Sequence, residues 1–396
     1  MALTLLKGGT VYGPNPMGRQ DILLGGGKIL KIAPDLDTFS PYGVEIIPAE
    51  GLIIFPGLID SHVHILGGGG EGGYHTRTPE IMLSQITSGG ATTVVGCIGT
   101  DGTTRALTSL IAKARGLREE GISCFAYTGS YQIPVRTLTG SVTDDLIVVD
   151  LVIGCGEVAI SDHRSSQPTF EEFARTAADT RLGGILSGKA GVVNIHMGDG
   201  PAGLEYLRRL VRETEIPAHN LLPTHINRSG TLMADGIAYA KELNGFIDLT
   251  TSSDPDFLEP DEIKASTGLR MALDGRVPPE QITFSSDGQG SMPIFGPDRT
   301  YQGLGVGRVD SLYREVRDAH LTEGIPLETA LLPVTANPAR ILKLAGKGVI
   351  AEGADADLVL VDQDLMIQRV FAGGKTMVEN GQVKVWGTFE PHSSKP

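Results

Sequence analysis

The sequence predicts an α/β protein in which a (β/α)8 TIM-like barrel carries a small β-sandwich domain formed by both termini. Three features carry that prediction. The middle of the chain alternates short apolar runs with helix-like runs, both ends consist of short strands between glycine-rich turns, and polar residues of related chemistry close successive apolar runs.

The ends come first. Residues 1–52 contain "LTLLKGGTVYG", "DILLGGGKILKIAP" and "GVEIIPAEGLIIF", short apolar stretches broken by glycine, which read as strands. "ADADLVLVD", "QRVFAGGKTMVENG" and "QVKVWGTF" repeat that texture near the C-terminus. Two β-rich ends around a middle of another kind predict one composite domain, residues 1–55 with 345–396. Between them, "ATTVVGCIG" precedes "RALTSLIAKARGLREEG", "VVNIHMGDG" precedes "AGLEYLRRLVRETE", and "LLPTHINRSG" precedes "LMADGIAYAKELNG". Strands buried on both faces read as continuous apolar runs, and repeated strand-then-helix implies a parallel sheet. Residues 56–344 suit a barrel of roughly 250 residues with insertions. A doubly wound open sheet is the rival, but no GxGxxG opens a helix after the first strand.

Composition narrows the function classes. The 396 residues allow one large domain plus a smaller one, and 40% hydrophobic with 20% charged residues is ordinary for a globular chain. With 53 glycines and 5% aromatics, tight turns are expected rather than a coiled coil. A net charge of −14 argues against nucleic acid or an anionic membrane as partner, since both would repel the protein at long range. It says nothing about the local sign of a site. Cys97, Cys124 and Cys155 are too scattered for a disulfide framework or a zinc knuckle. "MALTLLKGGTVYG" lacks the basic and apolar segments of a secretory signal, and Pro56 interrupts "GLIIFPGLI", so the expected setting is the cytoplasm.

Functional side chains of a barrel sit at the C-terminal ends of its strands. The residues closing these runs are His62 and His64, Glu157, His196, His225 and Asp287. Residues two apart on a strand share a face, so His62 and His64 suit one metal ion. Four imidazoles with two carboxylates suit Zn²⁺ or a similar divalent ion. Each feature alone has a plainer meaning: an isolated HxH is seldom a metal site, and Asp287 after two serines also fits a helix cap. The conjunction, one donor group per successive strand end, favours metal.

Several short stretches extend the pattern: "DSHVHILGGGGE" at 60–71, "GTD" at 99–101, "TGSY" at 128–131, "ISDHR" at 160–164, "HMGD" at 196–199, "THINR" at 224–228 and "SSDGQGS" at 285–291. Together they resemble the amidohydrolase superfamily of metal-dependent hydrolases, and within it the β-aspartyl (isoaspartyl) dipeptidases, nearly end to end. One position departs from the commoner pattern, in which a carboxylated lysine bridges two metals: the aligned residue is Glu157, whose carboxylate is of the same kind but on a shorter stem. The "GCG" before it suits a bulge that would bring the backbone closer; a mononuclear site with Glu157 merely nearby is the other reading.

The resemblance implies two divalent ions, expected to be Zn²⁺. His62 and His64 would hold the more buried ion with Asp287, and His196 and His225 the more exposed one. Asp287 would serve as general base and then acid, and Tyr131 would donate a hydrogen bond to the oxyanion. A β-aspartyl dipeptide presents an ammonium and two carboxylates. Glu71 would pair with the ammonium, Arg228 with the aspartyl carboxylate and Arg164 with the leaving residue's carboxylate, arginine suiting bidentate recognition. The backbone at Gly69, with Thr100 and Ser291, would supply further hydrogen bonds. Taken singly, Glu71 and the two arginines read as solvated loop charges. The remaining histidines, His75, His163, His219, His320 and His392, stay outside the metal set, with His163 beside Arg164 the one candidate for a supporting part. The resemblance also implies a homo-oligomer. A cyclic-amide hydrolase of dihydroorotase or hydantoinase type is the alternative enzyme, and a non-catalytic scaffold on the same fold the alternative of another class.

Overall fold

The computed structural model describes residues 3–36, 43–253, 258, 261–295 and 300–391. His392 and parts of the expected terminal domain (residues 1, 2, 37–42 and 392–396) lie outside them.

The N-terminal strands are β1 (Leu3–Tyr12), β2 (Pro16–Gly25), β3 (Lys28–Ala33), β4 (Val44–Pro48) and β5 (Ile53–Pro56). After a first barrel strand, β6 (Leu58–Val63), the chain runs through α1 (Leu83–Thr87), β7 (Ala91–Gly96), α2 (Leu107–Glu120), β8 (Ser123–Thr128), α3 (Val142–Val148), β9 (Val152–Ile160) and α4 (Phe170–Ser187). There follow β10 (Val192–Met197), α5 (Glu205–Glu213), β11 (Leu221–Thr224), α6 (Gly230–Leu243), β12 (Ile247–Thr250), α7 (Ala265–Asp274) and β13 (Ile282–Ser285). A hairpin, β14 (Ser291–Phe295) and β15 (Tyr301–Val306), precedes α8 (Ser311–Leu321), α9 (Leu327–Leu331) and α10 (Ala336–Ile341). The chain returns through β16 (Leu358–Val361), β17 (Ile367–Ala372), β18 (Lys375–Glu379) and β19 (Gln382–Val383).

Strands β6 to β11 form a parallel sheet in sequence order, and β12 pairs with β13 in parallel. Contacts of β11 with β12 and of β13 with β6 bring the two ends together, completing a TIM-like barrel. The closing seam is polar: Asp60 Oδ1 on β6 accepts from Ser286 N at 3.0 Å, and Gly288 O accepts from His64 N at 2.8 Å. Barrel strands are buried on both faces, as the residue-by-residue burial of β6, β7, β9 and β10 requires of apolar runs covered inside and out. Local signals stop and start the helices. Thr169 and Glu172 close a capping box at the head of α4, and Gly188, in the left-handed region at φ 72°, ends it.

Both chain ends join one nine-stranded sheet, ordered β19-β18-β17-β16-β5-β1-β2-β3, with β4 alongside β1. Alternation divides its faces. Ile22, Leu24, Leu358 and Leu360 enter one apolar cluster with Ile54 and Phe371, whereas Val359, Val361 and Val370 join the cluster that underlies the barrel. The segment before β16 also meets β3, through Gly353 N to Ile29 O and Ile29 N to Ala354 O. Among the described residues no helix is long and apolar enough to cross a membrane.

Candidate active site

The six expected donors converge at the C-terminal mouth of the barrel. Glu157 stands at the centre: its Oε2 lies 3.3 Å from His62 Nε2 and 3.7 Å from His64 Nε2, while Oε1 lies 2.7 Å from His196 Nδ1 and 3.2 Å from His225 Nε2. Asp287 Oδ1 faces the first pair, at 2.9 Å from His64 Nε2 and 3.6 Å from His62 Nε2. Among the described residues two groups could each hold an ion, His62, His64, Cys97 and Glu157, and Glu157, His196 and His225, with donor atoms in each group within 4.8 Å of one another. Glu157 belongs to both.

Burial makes this cluster expensive without a cation. His62 Nε2, Glu157 Oε2 and Asp287 Oδ1 are buried and make no hydrogen bond, a costly state for polar groups. A divalent ion among them would satisfy all three, and the imidazole and carboxylate set suits zinc chemistry. Burial opposes charge on Asp287, but the imidazoles of His64, His225 and His62 hold its carboxyl down at about 2. Burial likewise opposes charge on Glu157, and His62 and His196 drive its pKa well below the ordinary carboxylate range. Both are carboxylates at neutral pH. Burial pushes the Tyr131 phenol well above its ordinary value, so it remains a hydrogen-bond donor.

Backbone geometry explains how Glu157 reaches the cage. Across β9 and β10, Cys155 pairs with Val193 and Val158 with Ile195, so Gly156 and Glu157 together oppose Asn194. This is the bulge that "GCG" suggests. Gly156 has φ 149°, and a Cβ there would meet Asn194 O at 2.6 Å, which leaves no room for a side chain. His225 (φ 65°) and Asp287 (φ 53°) also sit in the left-handed region that non-glycine residues avoid, a local cost often held at functional positions.

A cavity of about 730 Å³ opens over the donors. It is lined by the proposed substrate groups Gly69, Glu71, Thr100, Tyr131, Arg164, Arg228 and Ser291, together with His64, His196, His225 and Asp287. His62 and Glu157 lie beneath its floor. Tyr131 OH is 2.8 Å from His196 Nδ1. Thr100 Oγ1 donates to Glu71 Oε1 at 2.7 Å, and Arg164 Nη1 stands 3.6 Å from the same oxygen. Arg228 Nη1 approaches His196 Nε2 to 3.4 Å. Gly69 (φ 70°) passes so near Ser291 that a Cβ would lie 2.9 Å from that residue's own.

Sequence reasoning missed several supports. Thr250 Oγ1 lies 2.6 Å from His225 Nδ1 and orients that ring. Buried Arg105 donates to Leu66 O and, at 2.7 Å, to Gly68 O, bracing the glycine loop. Cys97 brings its sulfur to 3.7 Å from His64 Nδ1. The β14–β15 hairpin supplies Met292, Pro293 and Ile294 to the cavity wall. Asp162, inside the "SDHR" stretch, is buried against His196 and Arg164. Its place between Glu157 and Arg164 was a signal available in the sequence. His163 lies at the rim, its side chain 89% exposed.

A barrel with this donor set at its mouth defines a class, and the chain belongs to it: the amidohydrolase family, whose model matches residues 53–377. It is an enzyme fold of that superfamily. Among solved structures, the chain is similar to the β-aspartyl dipeptidase of Fervidobacterium islandicum AW-1 in complex with β-Asp-Leu dipeptide, with 45% identity, a TM-score of 0.88, and coverage of 97% of this chain and 99% of that one. It is also similar to an adenine deaminase of Halalkalibacterium halodurans, 27% identical over 92% of this chain but only 55% of the deaminase. A dihydroorotase of Pelotomaculum thermopropionicum is 24% identical over 91% of this chain and 89% of its own length.

Proposed function

We propose that the protein hydrolyses the β-aspartyl (isoaspartyl) peptide bond of dipeptides. The observation that carries this reading is that, among the charged side chains of the cavity wall, Glu71, Arg164 and Arg228 offer one anion and two cations in the same cavity as the donor cage. That is the charge complement of a substrate with one ammonium and two carboxylates. Similarity to a β-aspartyl dipeptidase supports it.

In this reading His62, His64 and Asp287 would hold one divalent ion and His196 and His225 a second, with the Glu157 carboxylate available to both and Zn²⁺ the expected metal. Bound there, such ions supply Lewis acidity, which brings the pKa of water toward neutrality and polarises a carbonyl. The protein's own groups do the rest. Asp287 takes the proton from the attacking water and passes it to the leaving nitrogen as the C–N bond breaks. Tyr131 donates its hydroxyl hydrogen to the oxygen that gains charge. Glu71 receives the ammonium, Arg228 the aspartyl carboxylate and Arg164 the leaving residue's carboxylate, while the Gly69 backbone, Thr100 and Ser291 complete the hydrogen bonding. The same proposal includes a homo-oligomer in the cytoplasm, and domain limits of 1–55 with 345–396 and 56–344, the terminal sheet folding over as a β-sandwich.

Similarity to a dihydroorotase favours a second reading, hydrolysis of a cyclic amide. Glu71 separates the two, because a cyclic amide offers it no ammonium. The test is turnover of β-Asp-Leu, dihydroorotate and hydantoin by the metal-loaded protein. Cleavage of β-Asp-Leu that chelator abolishes supports the dipeptidase, and preference for either ring overturns it.

A further inference from the structure

Behind His196, on the side away from Glu157, lies a carboxylate that the reaction scheme leaves unused. Asp162 has a side chain only 3% exposed. Its Oδ2 sits 3.0 Å from His196 Nε2 and accepts from Arg164 Nη2 at 2.9 Å. Its Oδ1 accepts from the backbone N of Arg164 at 2.7 Å and from Arg164 Nε at 3.0 Å. Arg228 Nη1 stands 3.7 Å away. The fold makes room for this: a Cβ on Gly198, two residues past His196, would lie 2.5 Å from the Cβ of Asp162.

Neutral imidazole carries one N–H and one lone pair. Carboxylates flank both ring nitrogens, Glu157 at Nδ1 and Asp162 at Nε2, and a carboxylate only accepts; with a cation shared between Nδ1 and Glu157 the hydrogen would be on Nε2, where Asp162 accepts it. The lone pair is then on Nδ1, the nitrogen that faces Glu157 Oε1 and Tyr131 OH. A guanidinium has two usable edges. Asp162 occupies the Nε–Nη2 edge of Arg164, which leaves Nη1 near Glu71 in the cavity.

We propose that Asp162 is a positioning residue for both halves of the site: it keeps the His196 proton on Nε2, so that Nδ1 is the metal-facing donor, and it turns the free edge of Arg164 toward the substrate. The arginine half rests on the dipeptidase reading, whereas the imidazole half does not.

The test is Asp162→Asn, which keeps the shape and removes the charge. Stripped of metal and titrated with Zn²⁺ against a chromophoric chelator, the variant is expected to bind about 10- to 100-fold more weakly than the native protein, the usual effect of losing such a support. At saturating metal, KM for β-Asp-Leu is expected to rise about tenfold or more, and KM for β-Asp-Leu amide, which offers Arg164 no carboxylate, to rise far less. Native metal affinity together with equal losses on both substrates overturns the proposal. Should Asp162→Asn not fold, Asp162→Glu carries the same two measurements, displacing the carboxylate by one methylene with the same expected signs. A native protein that leaves β-Asp-Leu intact overturns the arginine half, while weakened metal binding in the variant still supports the imidazole half.

Discussion

Glu157 joins the two donor groups, so its removal should act on metal before anything else. Glu157→Ala is expected to retain less than half of the native metal, by elemental analysis after dialysis, and to lose hydrolysis altogether. In the proposed arrangement the carboxylate common to both donor groups is encoded rather than made by carboxylating a lysine, so native activity should be indifferent to added bicarbonate. Glu71 makes a different prediction. An ammonium held by a carboxylate is worth about 1.5–3 kcal/mol, so Glu71→Gln should raise KM for β-Asp-Leu by roughly 10- to 100-fold. N-succinyl-leucine, the same substrate without its amine, should be affected far less, and steady-state kinetics on both compounds checks this. Most of these residues were legible in the sequence because strand ends of a barrel point at one place. Thr250 and Arg105 were not, because they act on a distant side chain or on the backbone, and Asp162, although it stands in a legible stretch beside Arg164, shows its part only through contact with His196.

At the scale of elements, β9 is the part that sequence reading placed best and for a definite reason. Two glycines around Cys155 offer the backbone freedom a bulge needs, and the bulge is where the register with β10 shifts. Gly156→Ala should destabilise the protein by about 3 kcal/mol, since its Cβ would strike the carbonyl of Asn194 and its φ disfavours a side chain. Lowered Tm by calorimetry and lowered metal content are the expected pair of results. The β14–β15 hairpin escaped prediction. "SMPIF" and "YQGLGV" carry Pro293 and two glycines within their strands, which read as turn or loop, and the pairing that makes them strands is with each other.

For the whole molecule, the strand-then-helix repeat and the similar texture of the two ends were enough to foresee the barrel and the union of the termini. The strand order of the shared sheet was not visible, because pairings such as β5 with β16 span some three hundred residues and depend on packing rather than local pattern. Charge also secures that sheet. Lys28 on β3 and Lys347 both contact Asp355, and although burial works the other way, their hydrogen bonds hold its carboxyl below the ordinary 3.8. A carboxyl depressed in the folded state contributes stability above its unfolded pKa and loses it as pH falls through the folded one. Asp355→Asn should therefore cost roughly 0.5–1 kcal/mol at pH 7, a small figure because Lys28 is half exposed. As pH falls below the ordinary carboxylate range the two proteins should converge in denaturant unfolding.

The proposed function requires that the donor cage, with Glu71, Arg164 and Arg228, form one site for a β-linked dipeptide. Comparing kcat/KM on β-Asp-Leu and α-Asp-Leu, with chelator as control, tests it most directly, because the two isomers carry the same charges and differ only in which carbonyl is linked. Cleavage of the β isomer is expected to be at least about a hundredfold faster, abolished by chelator and restored by Zn²⁺. Equal rates on both isomers, or cleavage of neither, would contradict it.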